Sequence, residues 1–371
     1  MPLEQVCEKK RKSHIAIIAK ATHDCNLGCS YCYVDPNAER GQMSELTLRN
    51  MTNQSLENHD SVSFIWHGGE PLKVPLDFYR KAVEFQQQYS GKEITNGFQT
   101  NGTLVTPEVI DFCKQYKFNI GFSLDGPEEI NDLTRHYPTG ESSFNQTMEG
   151  IRLARNAGLG GGIIVVLNKH NIHRLDEIYS FAKENKIGLK LNPLIKSGAA
   201  VDNYKDLGIS PSEYGVQLVK LFDKWVEEGS ELSINPFEEI MGNILTGNPW
   251  GCNYSASCQN SFISVGPQGD VYPCGRFDGV GGFHLGNINS KDIKEILQSS
   301  KRLYLRDRFS RLEEECGNCE FKSICNSGCM HNAYMKNGKI DDKDYYCASH
   351  KTLFSHIGKF IQQQLEVAEV K

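Results

Sequence analysis

Over its first 195 residues the chain alternates six short apolar runs with amphipathic helical stretches, and this limits the possible fold more than any other feature. The apolar runs are 14–20, 61–67, 94–100, 118–124, 161–167 and 187–192. The helical stretches are 44–58, 76–89, 107–116, 143–157 and 172–185. Single helices between successive strands require a parallel sheet with right-handed crossovers. A closed eight-unit barrel takes about 250 residues. The six units here predict an α/β fold of the partial, open (β/α)6 TIM-barrel type. Chemistry in such barrels gathers at the C-terminal strand ends, so the residues closing each run are the candidate site.

Beyond residue 195 the texture changes. A helical stretch at 211–228 bridges to a region dominated by glycine, cysteine and short turns. Residues 261–265 and 270–273 flank Gly266-Pro267-Gln268-Gly269 and read as a β-hairpin. Helices are expected at 291–299 and 353–367. The expected division is a tail at 1–13, a barrel with its bridging helix at 14–232, and a cysteine-rich domain at 233–371. Gly160-Gly161-Gly162 lacks the lysine and spacing of a phosphate loop and reads as a turn into the fifth strand.

Net charge is -6, with no block of basic residues, which argues against a nucleic-acid footprint. No apolar run approaches the roughly 20 residues of a membrane span. The apolar stretch at 15–19, after Lys9, Lys10, Arg11 and Lys12, is too short for a secretion signal, so a cytoplasmic protein is expected. In a reducing compartment an odd count of 13 cysteines reads as metal ligation rather than a disulfide framework. Cys7 is assigned no role, and Cys113, beside Phe112 in a helix, reads as a small buried side chain. The other cysteines form two groups.

The first group is Cys25-x3-Cys29-x2-Cys32, in the loop after the first strand. Three thiolates can hold three corners of a [4Fe–4S] cluster and leave one iron open. An amine and carboxylate on a small molecule can chelate that iron, and the methionyl end of S-adenosylmethionine (SAM) carries both. Zinc is the alternative, but structural zinc takes four closed ligands. The second group is Cys252, Cys258, Cys274, Cys316, Cys319, Cys325, Cys329 and Cys347. Eight thiols can close two four-ligand clusters, and spacing alone does not say which four go together.

Cys25-Asn26-Leu27-Gly28-Cys29-Ser30-Tyr31-Cys32 resembles the signature of the radical SAM superfamily. His67-Gly68-Gly69-Glu70-Pro71 resembles its GGE motif, with Gly68, Gly69 and Glu70 near the SAM amino group. Gln99-Thr100-Asn101-Gly102 and Ser123-Leu124-Asp125-Gly126 are similar to its SAM-lining turns. The resemblance implies SAM contacts at Gln99, Asn101, Ser123 and Asp125, Tyr31 beside the adenine, and Arg135 on the SAM carboxylate. Cys316-x2-Cys319-x5-Cys325-x3-Cys329, followed by Cys347, resembles the SPASM extension. That implies an interleaved pair of sites: Cys252, Cys258, Cys274 and Cys329 for one [4Fe–4S] cluster, and Cys316, Cys319, Cys325 and Cys347 for another.

Two groups within the superfamily look closest. The anaerobic sulfatase-maturating enzymes oxidise Cys or Ser of a sulfatase to formylglycine. The second group is the peptide maturases that alter ribosomal peptides, including cyclophane-forming ones. Trp66–Leu72 and Cys32-Tyr33-Val34 look more like the second group. In the first group an Asp following the third auxiliary cysteine is thought to take the substrate proton, and here that position is Gly275. Asp278, Tyr272 and His67 are the remaining candidate bases. The sequence therefore favours radical oxidation or cross-linking of a ribosomal peptide, with sulfatase maturation as the alternative. A non-catalytic iron–sulfur carrier and a zinc scaffold are further rivals. Expected partners are a peptide or protein substrate and a low-potential electron donor such as flavodoxin or ferredoxin. With about 13 residues before the first strand, any leader peptide would need a separate recognition protein or the surface of the core itself.

Overall fold

The computed structural model describes residues 13–256, 258–312 and 316–369. Cys7 and the basic residues before Lys12, with Lys12 itself, lie outside the described residues. Each of the six expected strands is present: β1 (His14–Lys20), β2 (Ser61–His67), β3 (Glu93–Thr100), β4 (Phe118–Ser123), β5 (Gly162–Leu167) and β6 (Gly188–Pro193). They pair in sequence order, all parallel. This is the partial barrel that the alternation predicted. No described helix is long and apolar enough to cross a membrane.

The strands bury one face against the outer helices. In β2, Val62, Phe64 and Trp66 are buried while the residues between them are not. Trp66 meets Tyr79 and Phe78 of helix Leu76–Gln86 edge-on, and Tyr79 meets Phe98 of β3. Such aromatic pairs add about 0.5–1.5 kcal/mol each beyond area burial. The Trp66 indole donates to Asn96 (3.1 Å), which also bonds Gln86, so this buried polar cluster is satisfied. The opposite face carries Ser63, Gly97, Gln99, Gly121 and Ser123 together with Ile18 and Ile65. It is half-buried and lines the barrel interior.

Helix boundaries follow their caps. Ser44 accepts from Thr47 N and starts the helix Glu45–Asn58. Ser210 and Glu213 form a capping box at the helix Pro211–Glu227. The helix expected at 172–185 opens instead as a 3-10 turn, Ile172–Arg174, and becomes α-helical at Leu175–Glu184. The helix expected at 291–299 is shorter, Ile293–Leu297, and a further helix, Ser300–Arg306, follows with Ser299 as its cap. The C-terminal helix is longer than its apolar run indicated. It spans Cys347–Glu369 and begins on a candidate ligand.

The largest departure concerns the sheet, which has ten strands among the described residues, in the order β10-β9-β8-β1-β2-β3-β4-β5-β6-β7. The expected hairpin is β8 (Phe262–Val265) and β9 (Asp270–Tyr272), and β8 pairs in parallel with β1. At the other end β7 (Ile234–Asn235) pairs with β6, and β10 (Gly286–Asn287) closes the edge on β9. Strand pairing thus runs across the expected division at 232. The turn after β9 lies on the inner side of β1, where a Cβ on Gly275 would stand 3.1 Å from Ile18 Cγ2.

Candidate active site

The loop carrying Cys25, Cys29 and Cys32 follows β1 and has little regular structure of its own. Its backbone is tied to neighbouring strand ends. Gly69 N donates to Thr22 O (3.1 Å) and Glu70 N to Asp24 O (2.8 Å). Gly28 N donates to His136 O and Ser30 N to Thr134 O. A Cβ on Gly69 would lie 2.1 Å from Asp24 O. The glycine there is therefore required by the protein's own loop, and the Gly69 and Glu70 N–H groups are engaged by that loop. Glu70 is buried and accepts from Leu72 N, Thr100 Oγ1 and Asn101 N, so its carboxylate joins the ends of β2 and β3. The structure thus gives Gly69 and Glu70 a bracing role that the motif alone did not indicate.

Burial pushes the Cys29 thiol up to about 11, with Arg135 opposing, and burial also raises Cys25 and Cys32. Such thiols remain protonated near neutral pH until a metal takes the proton's place. Asn101 Nδ2 reaches Cys25 Sγ at 3.8 Å, and Leu27 N reaches it at 3.4 Å. Three soft donors on one braced loop fit a cluster with one open iron.

Tyr31, Asp125 and Arg135 are brought together. The Tyr31 hydroxyl donates to Asp125 Oδ2 (2.6 Å) and accepts from Arg135 Nη1 (2.9 Å). Asp125 also accepts from Thr134 Oγ1 and Val166 N. The Tyr31 ring packs with Leu194, Ala200 and Leu207. Gln99 Nε2 donates to Ser123 Oγ (3.0 Å) on the inner face. Gly68 has φ +123°, and a Cβ there would meet Thr22 O at 2.9 Å.

Sequence reasoning missed a second polar cluster. Lys20 is completely buried at the end of β1 and forms an ion pair with Asp278 of the cysteine-rich region. Its ammonium also reaches Gly275 O (3.4 Å) and lies 5.1 Å from the Tyr33 ring centroid. His23 Nε2 contacts Asp278 Oδ2 at 3.1 Å. Burial alone raises the Asp278 carboxyl, but the His23 hydrogen bond and the Lys20 charge reverse this and hold it at about 2. Tyr33 and His67 stack and share a 2.5 Å hydrogen bond, with the hydroxyl donating when His67 carries its proton on Nε2. Burial, then Lys20 and Arg135, pulls His67 down to about 4. Burial raises the half-buried Tyr272, whose ring lies edge-on to His284. As a base, Asp278 is weak because two neighbours stabilise its anion. The one signal for Lys20 was a cation closing an otherwise apolar strand.

The eight C-terminal cysteines lie in two neighbourhoods. Cys252, Cys258, Cys274 and Cys329 act electrostatically on one another. Cys316, Cys319, Cys325 and Cys347 do the same and line one cavity. Among the described residues no three His, Cys, Asp or Glu groups converge on a single ion position.

Sequence profiles agree with this geometry. One described as Radical SAM superfamily matches residues 20–182, and one described as Iron-sulfur cluster-binding domain, SPASM, matches residues 252–320. A serine-type anaerobic sulfatase-maturating enzyme of Bacteroides thetaiotaomicron is 30% identical over 368 residues, 91% of this chain and 87% of the relative. This chain belongs to the radical SAM superfamily. The SPASM extension is present as well. A cysteine-type anaerobic sulfatase-maturating enzyme of Clostridium perfringens is 29% identical over 357 residues, 92% of this chain and 95% of the relative. The solved structure of native anSMEcpe with bound AdoMet superposes on this radical SAM chain with a TM-score of 0.83 at 27% identity, covering 96% of this chain and 99% of that one. SuiB of Streptococcus suis shares the fold, with a TM-score of 0.66 at 18% identity over 90% of this chain and 77% of that one.

Proposed function

We propose that this radical SAM/SPASM chain oxidises a Cys or Ser side chain of a protein substrate to the aldehyde, a reading drawn from its likeness to relatives named cysteine-type and serine-type anaerobic sulfatase-maturating enzymes. The observation that carries this reading is the near end-to-end likeness. Relatives of both the cysteine and the serine type match over more than nine-tenths of the chain. The likeness extends to native anSMEcpe with bound AdoMet and Cp18Cys peptide, with a TM-score of 0.82 at 28% identity, covering 96% of this chain and all of that one. The motif details of Trp66–Leu72 favoured cross-linking of a ribosomal peptide. The comparisons move that reading to second place.

In this reading Cys25, Cys29 and Cys32 hold the cluster whose open iron takes SAM. When bound, cluster and SAM supply the 5′-deoxyadenosyl radical that removes a hydrogen atom from the substrate carbon. Tyr31, Asp125 and Arg135 form the polar wall of the SAM site, and Gln99, Ser123 and Asn101 its floor. Lys20 and Asp278 clamp the auxiliary loop against β1. The electron comes from an external low-potential donor of the flavodoxin or ferredoxin class.

Cross-linking stays as the second reading because of one observation. Gly275 holds the position where the relatives' base is expected, and its Cα faces Ile18. Asp278, the nearest carboxylate in sequence, is tied to Lys20 and His23. A well-placed base contributes about 10²–10⁴-fold, so its absence matters more for thiol or hydroxyl oxidation than for carbon–carbon bond formation. The deciding experiment incubates reconstituted enzyme, SAM and reductant with Cys- and Ser-type sulfatase peptides and follows mass and aldehyde-specific labelling. Labelled peptide at many turnovers supports the first reading. SAM cleavage with both peptides unchanged rejects it.

A further inference from the structure

The segment that follows β6 walls a cavity that the candidate active site does not use. The cavity measures about 130 Å³ and lies at the seam between this segment and the cysteine-rich region. Its inner lining is buried and fixed. Leu194 and Tyr346 are buried, and the Tyr346 hydroxyl donates to Leu194 O (2.7 Å). Asn332 is buried as well, with its amide Nδ2 donating to both carboxylate oxygens of Asp344 (3.2 Å each). The half-buried Tyr204 supplies a further aromatic wall.

The charged side chains lining this cavity are of one sign. Lys196 and Lys336 line it, both exposed, and Lys196 Nζ lies 5.2 Å from the Tyr204 ring centroid. Among the described residues neither lysine forms a salt bridge, and none of those lining the cavity is Asp or Glu. Asp344 stands behind Asn332, buried, and its carboxylate also accepts from Cys329 N and Tyr346 N. On a chain of net charge -6, two cations around one aromatic-walled recess are a local reversal. A recess lined by one sign of charge concentrates the opposite sign. A carboxylate there would take charge-assisted hydrogen bonds from the ammonium groups, and its apolar stem would lie on the tyrosine rings.

The cavity adjoins the candidate active site. Leu194 and Tyr204 belong to the same apolar cluster as the Tyr31 ring, and Ala199 N donates to Cys32 O (2.8 Å). A group held in the cavity therefore lies close to the loop that carries Cys25, Cys29 and Cys32. We propose that this cavity is a substrate subsite that takes an Asp or Glu side chain flanking the residue to be oxidised. The proposal rests on the reading of the substrate as a protein or peptide, and it holds whichever bond the modified residue gains. Lys196 and Lys336 act here as specificity residues. They touch the flanking side chain and not the reacting atoms, so they govern binding and leave the chemical step alone.

The test uses the anaerobically reconstituted full chain with SAM and no reductant, so that binding is read without turnover. The probes are fluorescein-labelled Cys-type sulfatase peptides in which Glu replaces, one at a time, each residue flanking the Cys. Matched peptides carry Gln at the same place, and fluorescence anisotropy gives Kd. At one flanking position the Glu peptide should bind about tenfold tighter than its Gln partner, or better. Lys196→Gln combined with Lys336→Gln should abolish that preference and leave the Gln peptides unchanged. Lys114→Gln with Lys220→Gln, on the outer helices Pro107–Tyr116 and Pro211–Glu227, should leave the preference intact. With reductant added, the double variant's loss should fall on KM, with kcat unchanged. No preference at any position, or one that survives in the Lys196/Lys336 variant, overturns the proposal. A Glu preference on peptides that are never converted to the aldehyde upholds the subsite and rejects the oxidation reading. Aldehyde formation without the preference does the reverse.

Discussion

The Cys25–Cys32 loop and the eight C-terminal thiols offer the same ligand chemistry, but the fold holds them differently. The loop is fixed from outside, through backbone bonds to Gly69, Glu70, His136 and Thr134. Four of the eight C-terminal thiols sit on helix ends. Cys258 and Cys347 open helices, Cys329 caps Met330–Asn337, and Cys325 ends Lys322–Cys325. A site with three ligands cannot be closed by its metal alone, so its geometry has to be imposed by the scaffold. A site with four ligands gains order from metal binding itself. The difference matches a cluster that must keep one position open beside two that need not.

The largest expected effect separates the two regions outright. Changing Cys25, Cys29 and Cys32 together to Ala should abolish 5′-deoxyadenosine formation and lower iron from about twelve to about eight atoms per chain. Cys258→Ala should retain uncoupled SAM cleavage with little peptide product. Chromatography of SAM products and iron analysis check both. Gly69→Ala should come next. Its Cβ would collide with Asp24 O, so the loop should shift and first-site iron fall while the auxiliary clusters remain, as read by EPR with and without SAM.

Lys20→Met probes the clamp between the regions. It leaves the Asp278 carboxylate, 12% exposed, without its buried cation. Stranding such a charge costs about 3–5 kcal/mol, and Lys20→Met combined with Asp278→Leu should recover most of it in denaturant unfolding. The smallest effect is a pH dependence at His67. Burial depresses this histidine to about 4, so the folded state resists its protonation. Its stability contribution is complete above the unfolded value near 6.5 and is lost as pH falls towards 4. By pH 5.5 the loss should be roughly 1 kcal/mol, and His67→Asn should flatten that part of the profile.

The barrel strands were legible because each pairs with its neighbour in sequence and its buried face shows a period of two, as Val62, Phe64 and Trp66 do. The place of β8 beside β1 was not legible. Four residues, Phe262–Val265, pair with a strand some 245 positions earlier, and nothing local marks that partner. The grouping of the cysteines was legible from spacing, while the ligand roles given to them rest on family resemblance. The roles of Gly69 and Glu70 were only half legible, since the motif named the residues but not the loop oxygens that occupy their N–H groups. Lys20 escaped notice because an isolated cation in sequence usually marks solvent. Burial among distant thiols or carboxylates appears only once the chain is folded.

The most direct measurement of the central claim follows a label. A Cys-type sulfatase peptide deuterated at the cysteine β-carbon is incubated anaerobically with the reconstituted enzyme, SAM and dithionite, and the 5′-deoxyadenosine is examined by mass spectrometry. The account predicts one deuterium in the 5′-deoxyadenosine, formed together with aldehyde-containing peptide. 5′-Deoxyadenosine without deuterium, over unaltered peptide, would contradict it.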